Sequence, residues 1–373
     1  MKAFWKALAV FVGTIIGVGI FGLPWVALKS GFFVLLIHFI LLGALAIFIH
    51  LILGDIILST PGKHRFPGYV RIYLGPFWSR LALACVSLGL FGAQLAYLVA
   101  GGNFLFNLLG PFLGGSVLVY TLIFFSIGAL LIYKGIKGVS WVELLIALFF
   151  FILLGFLLVS AMPHIKAQNL ISFHSKFFLY PYGIILFSLW GSSILPEIKE
   201  MLKGKKREFK KVIISGIILS IIVYLLFSAV ILGVCGQNTT EDSITGLTNV
   251  LSPGIVRAGL IFGIITCFSS FLAIGLTLKK IFWYDVHIPE KISWAITVSL
   301  PLILFLMGLR QFIDIISLSG AIAMGIQGFI IILLYKVFMK KKFSKKITSF
   351  YFIFSILFAL GAIAEIFYFI AGQ

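Results

Sequence analysis

Acidic residues are scarce in this chain. Its 373 residues include 11 Asp and Glu against 29 Lys and Arg, and charged residues make up only 11% of the whole. Soluble domains carry about 25%, so a soluble globular fold is excluded. The few carboxylates are dispersed, and no H-E-x-x-H, G-x-S-x-G or aspartate pair is present. The clustered acids, bases or nucleophiles of a membrane enzyme are therefore missing. The absence of a P-loop argues against nucleotide-driven pumping. Cysteine is limited to Cys85, Cys235 and Cys267, which have no metal-ligand spacing and no need to pair. No cofactor motif is found. The first apolar segment lacks a small-residue cleavage site, so we expect it to be a span and not a cleaved signal peptide.

Apolar residues are abundant: 61% of the chain, with a mean hydropathy of +1.19. The apolar runs are about 20 residues long, the length of a membrane helix, whereas barrel strands are about 10 and alternate. The expected fold is an all-α polytopic membrane protein. Eleven spans are predicted, at roughly 5–28, 31–53, 82–108, 113–133, 140–161, 179–200, 211–234, 255–278, 292–308, 312–335 and 348–370.

The net charge of +18 follows the loops and needs no nucleic acid to explain it. If the N-terminus is cytoplasmic, the inner segments hold Lys2, Lys6, Lys63, Arg65, Arg71, Arg80, Lys134, Lys137, the Lys199 to Lys211 cluster, Lys279, Lys280, Lys291 and Lys336 to Lys346. These are 24 of the 29 basic residues, leaving Lys29, Lys166, Lys176, Arg257 and Arg310 outside. The positive-inside rule then predicts a cytoplasmic N-terminus and an external C-terminus, in the plasma membrane. The expected partners are the lipid bilayer and a small-molecule substrate, with no obligate protein partner. The segment Tyr69 to Tyr73 is expected to form a short amphipathic turn at the membrane surface. The polar segment 235–254 is either a cap over the outer vestibule or a plain solvated connection.

Glycine is concentrated in one place. Gly13 to Pro24 reads GTIIGVGIFGLP and includes Gly13, Gly17 and Gly19. Glycine disfavours a helix interior by about 1 kcal/mol relative to alanine, and a lipid-facing helix gains nothing from such a cluster. The pattern G-x-x-x-L-P at Gly19–Pro24 recurs at Gly191–Pro196. Two spans interrupted at matching points predict a transporter built from repeats. Spans one to five (1–161) and six to ten (179–336) form the two halves of a single 1–373 domain, and 348–370 is an addition. Five spans per half is an odd number, so the halves are inverted in the membrane.

Unwinding at Gly17–Val18–Gly19 frees backbone N–H groups beside a helix N-terminus, which suits a carboxylate. Small residues can instead serve close helix packing, a reading that fits Gly13 and Gly17. At the second break, Ser188, Ser192 and Ser193 can satisfy freed backbone groups or bind a ligand amino group. Phe187 and Trp190 offer flat surfaces to a substrate.

These motifs resemble the amino acid–polyamine–organocation superfamily, which has the LeuT fold with broken helices one and six. GTIIGVGIFGLP is similar to that superfamily's first helix. The ILPE after the second break and the eleven spans look most like the amino acid permease branch, the aromatic amino acid and serine permeases and their auxin-permease-like relatives. The resemblance implies a substrate carboxylate on the amides of Gly17, Val18 and Gly19. It also implies contributions from Phe187, Ser188, Trp190 and Gly191 in span six, and from Gln94 and Tyr97 in span three. Sodium-coupled members hold Na⁺ between spans one and eight. Here that implies the carbonyls of Gly13, Ile16 and Thr266 with the hydroxyls of Ser269 and Ser270, all oxygens as a hard cation requires.

Proton coupling is the alternative. Intramembrane ionisable groups are functional candidates by default, and here they are His38, His50, Glu143, Glu197, Asp314 and Glu365. Arg310 stands one turn before Asp314 if its helix starts that early. The expected function is symport of a neutral amino acid, aromatic ones among the candidates, with Na⁺ or H⁺ by alternating access. Transport of another organic solute, or a sensor role, is the alternative.

Overall fold

Helices occupy every predicted span of the computed structural model, which describes residues 2–135, 140–344 and 350–371. Lys137, Lys345, Lys346 and the side chain of Glu143 lie outside the described residues. The first span is two helices, α1 (Lys2–Ile15) and α2 (Gly19–Ser30), bent by 55° at their junction. Then follow α3 (Phe32–Ser59), a short α4 (Phe66–Leu74), α5 (Pro76–Leu113), α6 (Val117–Lys134) and α7 (Ser140–Ala161). The sixth span is α8 (Tyr182–Ser188), a 3₁₀ turn at Ser192–Ile194 and α9 (Leu195–Met201). Helices α10 (Lys206–Cys235), α11 (Pro253–Lys280) and α12 (Glu290–Leu306) come next. The tenth span is α13 (Phe312–Leu318) and α14 (Gly325–Phe343) around a π-helical turn at Ser319–Met324, and α15 (Phe350–Ala371) ends the fold. Among the described residues, seven helices, apart from the bent pair, are long and apolar enough to cross a membrane.

The halves α2 and α8 of the two broken spans pack on each other, and α1 packs on α10 and α9. The long helix α5 lies along α11, so spans three and eight enclose the breaks from the other side. Large apolar side chains such as Ile40, Leu41, Leu226, Ile363 and Phe367 are exposed. They form the surface that meets lipid, where no hydrophobic penalty opposes exposure.

The amphipathic turn predicted near Tyr69 is the helix α4. It buries Phe66, Tyr69 and Val70 against α5 and α14. Around it the basic loops gather at one end of the bundle. There Lys63 pairs with Glu200 at 2.9 Å, Arg65 with Asp285 at 3.2 Å and Lys210 with Asp55 at 3.0 Å. The opposite end is closed. Segment 235–254 is a cap and not a solvated connection: Ser243, Ile244 and Leu247 are fully buried, and the Ser243 hydroxyl donates to the Phe21 carbonyl. Beneath it the Phe21 ring meets Phe104, Phe262 and Phe227, with centroids 5.0, 5.5 and 6.3 Å away.

Candidate functional site

At the first break the helical ladder lapses after Ile16, whose N–H reaches the Val12 carbonyl at 2.8 Å. It resumes with Ile20 N–H on the Gly17 carbonyl at 3.3 Å. Between them the Val18 N–H turns aside and donates to Tyr97 Oη on α5, at 3.2 Å. The two glycines are required by contact. A Cβ on Gly17 would collide with Tyr97 Oη, and one on Gly19 with the Ser188 hydroxyl. The predicted residues Gly17, Val18, Gly19, Tyr97 and Ser188 therefore form one buried group. A branched residue at either glycine would displace the hydroxyl beside it.

The second break is longer. Leu189 N–H still reaches Ile185 O at 3.0 Å, and Trp190 N–H reaches Phe187 O at 3.3 Å. Gly191 then leaves the helix, with φ −121° and ψ 20°. Its N–H donates to His50 Nε2 at 3.0 Å, and the Trp190 indole donates to Gln327 Oε1 at 3.1 Å. Trp190 thus does not lie free over the first break; it is strapped to α14 and its ring meets His50. Phe187 is half-buried and runs along Gly320, where only a glycine leaves room for the span-six backbone.

One residue that sequence reasoning missed ties the breaks together. Tyr224, fully buried on α10, places its hydroxyl 2.7 Å from the Ile15 carbonyl and 3.0 Å from the Ser188 carbonyl. A tyrosine in the middle of a largely apolar span is the available signal. Two of the predicted substrate-binding residues are left with buried polar atoms and no hydrogen-bond partner among the described residues: the Ser188 hydroxyl and both amide atoms of Gln94. Buried polar atoms are nearly always paired, so each such atom calls for an explanation, and a ligand is one. Gln94 stands one turn before Tyr97 on α5, facing Gly275 of α11.

The proposed ion ligands are less convergent. On α11 the Thr266 hydroxyl donates to Phe262 O at 2.7 Å and the Ser269 hydroxyl to Thr266 O at 3.2 Å. Both hydroxyls serve their own helix, as serine and threonine often do. Ser270 lies beside Tyr97. Ile16 is buried, whereas Gly13 is exposed and a Cβ on it would touch nothing within 4 Å.

Of the ionisable candidates, His38 bonds the Val34 carbonyl on its own helix at 2.9 Å. Glu197 lines a 970 Å³ cavity at the basic end, with Arg65, Lys199, Glu200, Asp285 and His287 among its other walls. In the same cavity Tyr69 is pushed up to about 12, first by burial and then by Glu197. Arg310 does not pair with Asp314: α13 begins only at Phe312, and Arg310 turns back to the Phe305 carbonyl and ring. Glu365 is buried against Gly183 with an unpartnered Oε2. In the cap, burial raises the Glu241 carboxyl above its ordinary value, and Asp314 and Asp242 raise it further. Among the described residues no His, Cys, Asp and Glu group is arranged to hold a metal ion.

Comparison with known proteins points the same way. The family model described as the tryptophan/tyrosine permease family matches residues 1–368. The tyrosine-specific transport system 1 of Haemophilus influenzae is 26% identical over 285 residues, covering 72% of this chain and 70% of that protein. Among solved structures, MhsT in complex with L-phenylalanine superposes with a TM-score of 0.65 at 14% identity, covering 99% of this chain and 98% of MhsT. The closed form of Mhp1, a nucleobase-cation-symport-1 family transporter, gives 0.68 at 14% identity, covering 93% of this chain and 80% of Mhp1. The manganese transporter of Eremococcus coleocola gives 0.66 at 14% identity, covering 98% and 89%. These likenesses establish the LeuT fold.

Proposed function

The chain belongs to the tryptophan/tyrosine permease family, and on that premise we propose that it is a secondary active transporter carrying an aromatic amino acid across a membrane by alternating access, driven by a Na⁺ or H⁺ gradient. It acts as a transporter and not as an enzyme. Within the wider classification it falls in the amino acid–polyamine–organocation superfamily, with inverted halves at 1–161 and 179–336.

The observation that carries this reading is the buried group at the first break. The substrate carboxylate sits at the Gly17, Val18 and Gly19 amides, where it replaces or shares the Tyr97 hydroxyl now held by Val18 N–H. The Ser188 hydroxyl, without a partner, serves the amino group together with the Phe187 carbonyl. Trp190, Phe187 and Gln94 bound the side chain. Among the described residues no cationic or acidic side chain joins this group, which favours a neutral zwitterion.

Alternating access follows from the two ends. The cap and the Phe21 cluster close one end, while the 970 Å³ cavity opens at the other. The loop charges support a cytoplasmic side for the open, basic end of a plasma-membrane protein, with the N-terminus on the same side.

Thermal stabilisation of purified protein by each of the twenty amino acids, with and without Na⁺, tests the reading. Stabilisation by tyrosine, tryptophan or phenylalanine is expected. Stabilisation by none of the twenty, together with no uptake of them into proteoliposomes, overturns it.

A further inference from the structure

His50 is fully buried on α3, where the two broken spans meet. Its Nδ1 lies 2.6 Å from the Ala46 carbonyl, one turn back on the same helix, and its Nε2 lies 3.0 Å from the Gly191 nitrogen. A carbonyl only accepts and an amide N–H only donates. The tautomer is therefore fixed, with the proton on Nδ1 and the lone pair on Nε2. Phe11 of α1 faces the ring at 6.2 Å between centroids and Trp190 faces it at 5.5 Å, both edge-on. From α14, Gln327 reaches this group through the Trp190 indole. None of these neighbours titrates or carries a charge.

We propose that His50 is the proton-binding residue through which a proton gradient acts on the second break. The inference rests on the transport reading above and names its coupling ion and site. A proton that binds Nε2 takes the lone pair that now accepts the Gly191 N–H. Both ring nitrogens are then donors, so the bond to Gly191 must break. The freed Gly191 N–H becomes available to an anionic or carbonyl group of the substrate. Loss of the proton restores Nε2 as acceptor and reclaims the amide.

The movement does not stay local. Gly191 is pressed against α1, and a Cβ on it would lie 2.9 Å from both Phe11 Cε2 and Ile15 Cγ1. Ile15 is also the residue whose carbonyl Tyr224 holds. A shift at Gly191 therefore reaches the first break through packed atoms. Glu365 is the rival proton carrier, because it too is buried, but it stands on α15 against Gly183 at the outer part of α8.

The test uses purified full-length protein in proteoliposomes with L-tyrosine or L-tryptophan, without Na⁺. His50→Gln keeps an acceptor for Gly191 and a donor for Ala46 but cannot titrate. We expect wild-type protein to accumulate substrate under an inward proton gradient. His50→Gln should lose that accumulation while retaining measurable, slowed substrate exchange. Accumulation by His50→Gln as steep as wild type overturns the proposal. So does wild-type accumulation driven by Na⁺ alone, or loss of proton-driven accumulation in Glu365→Gln while His50→Gln keeps it. Wild-type protein that exchanges neither substrate overturns the transport reading, and this inference with it. If His50→Gln does not insert, wild-type protein decides alone: substrate added in weak buffer should draw protons from solution, and no proton uptake overturns the proposal.

Discussion

The two breaks carry one sequence pattern but are built differently. The first is short and bare. Its backbone turns aside for three residues, its side chains are hydrogens at Gly17 and Gly19, and the polar groups around it come from Tyr97 and Ser188. The second is long and strapped. Its Gly191 amide and Trp190 indole are held by His50 and Gln327, from spans two and ten. The shared proline marks the contrast: Pro24 lies inside α2, whereas Pro196 stands at the start of α9 because a 3₁₀ turn takes up the residues before it. A bare break offers backbone to a ligand and leaves little to regulate. A strapped break can be released by whatever changes its straps.

Breaking the first half of that contrast should have the largest effect. Gly17→Val would drive a branched side chain into Tyr97 Oη and cover the amides, so uptake should vanish while the protein still inserts. Surface labelling alongside uptake checks both halves of the statement, and wild-type uptake would sink the assignment of the carboxylate site. Gly191→Ala comes next. Its single methyl meets a ring atom of Phe11 and a methylene of Ile15, side-chain atoms that can partly give way. Overpacking of this kind costs about 1–3 kcal/mol, so uptake should fall roughly tenfold with substrate binding partly kept. Equal loss in Gly191→Ala and Gly17→Val would show that the two breaks are not distinct in the way described.

Tyr224→Phe removes the hydroxyl that joins the breaks and leaves two buried carbonyls without it. Such a deletion costs about 1–3 kcal/mol. Transport should drop roughly tenfold, and the drop should be non-additive with Gly191→Ala, since both act on one coupled group. Additivity in the double variant would mean that Tyr224 only packs.

Much of this was legible in the sequence because it is local. Glycine spacing marked both interruptions, whereas Tyr97 and Gln94 came only from the resemblance to the superfamily. The loop charges gathered the basic end correctly, with Lys63, Arg65, Lys199 and Lys210 all at one face. What escaped is long-range. The Tyr224 bond to Ile15 spans 209 residues and the His50 bond to Gly191 spans 141, so neither leaves a mark on neighbouring positions. The Arg310–Asp314 turn failed for a local reason: Gln311 is still extended at φ −77° and ψ 103°, so no helix yet exists to bring the two residues together.

Ser188→Ala is the smallest perturbation and separates ligand chemistry from structure. Among the described residues the Ser188 hydroxyl has no hydrogen-bond partner, and Ser188 is 2% exposed. Removing an unsatisfied buried hydroxyl relieves a desolvation penalty, so it should leave thermal stability unchanged or slightly higher. A purely structural hydroxyl would show no more than that. If the hydroxyl instead meets the substrate amino group, affinity should weaken several-fold, in line with a net hydrogen bond worth about 0.5–1.5 kcal/mol. Melting temperature, measured on the same sample as the dissociation constant, should therefore hold or rise while affinity falls. Ser188→Ala with unchanged affinity would remove the serine from the site and leave the second break holding substrate through its backbone alone.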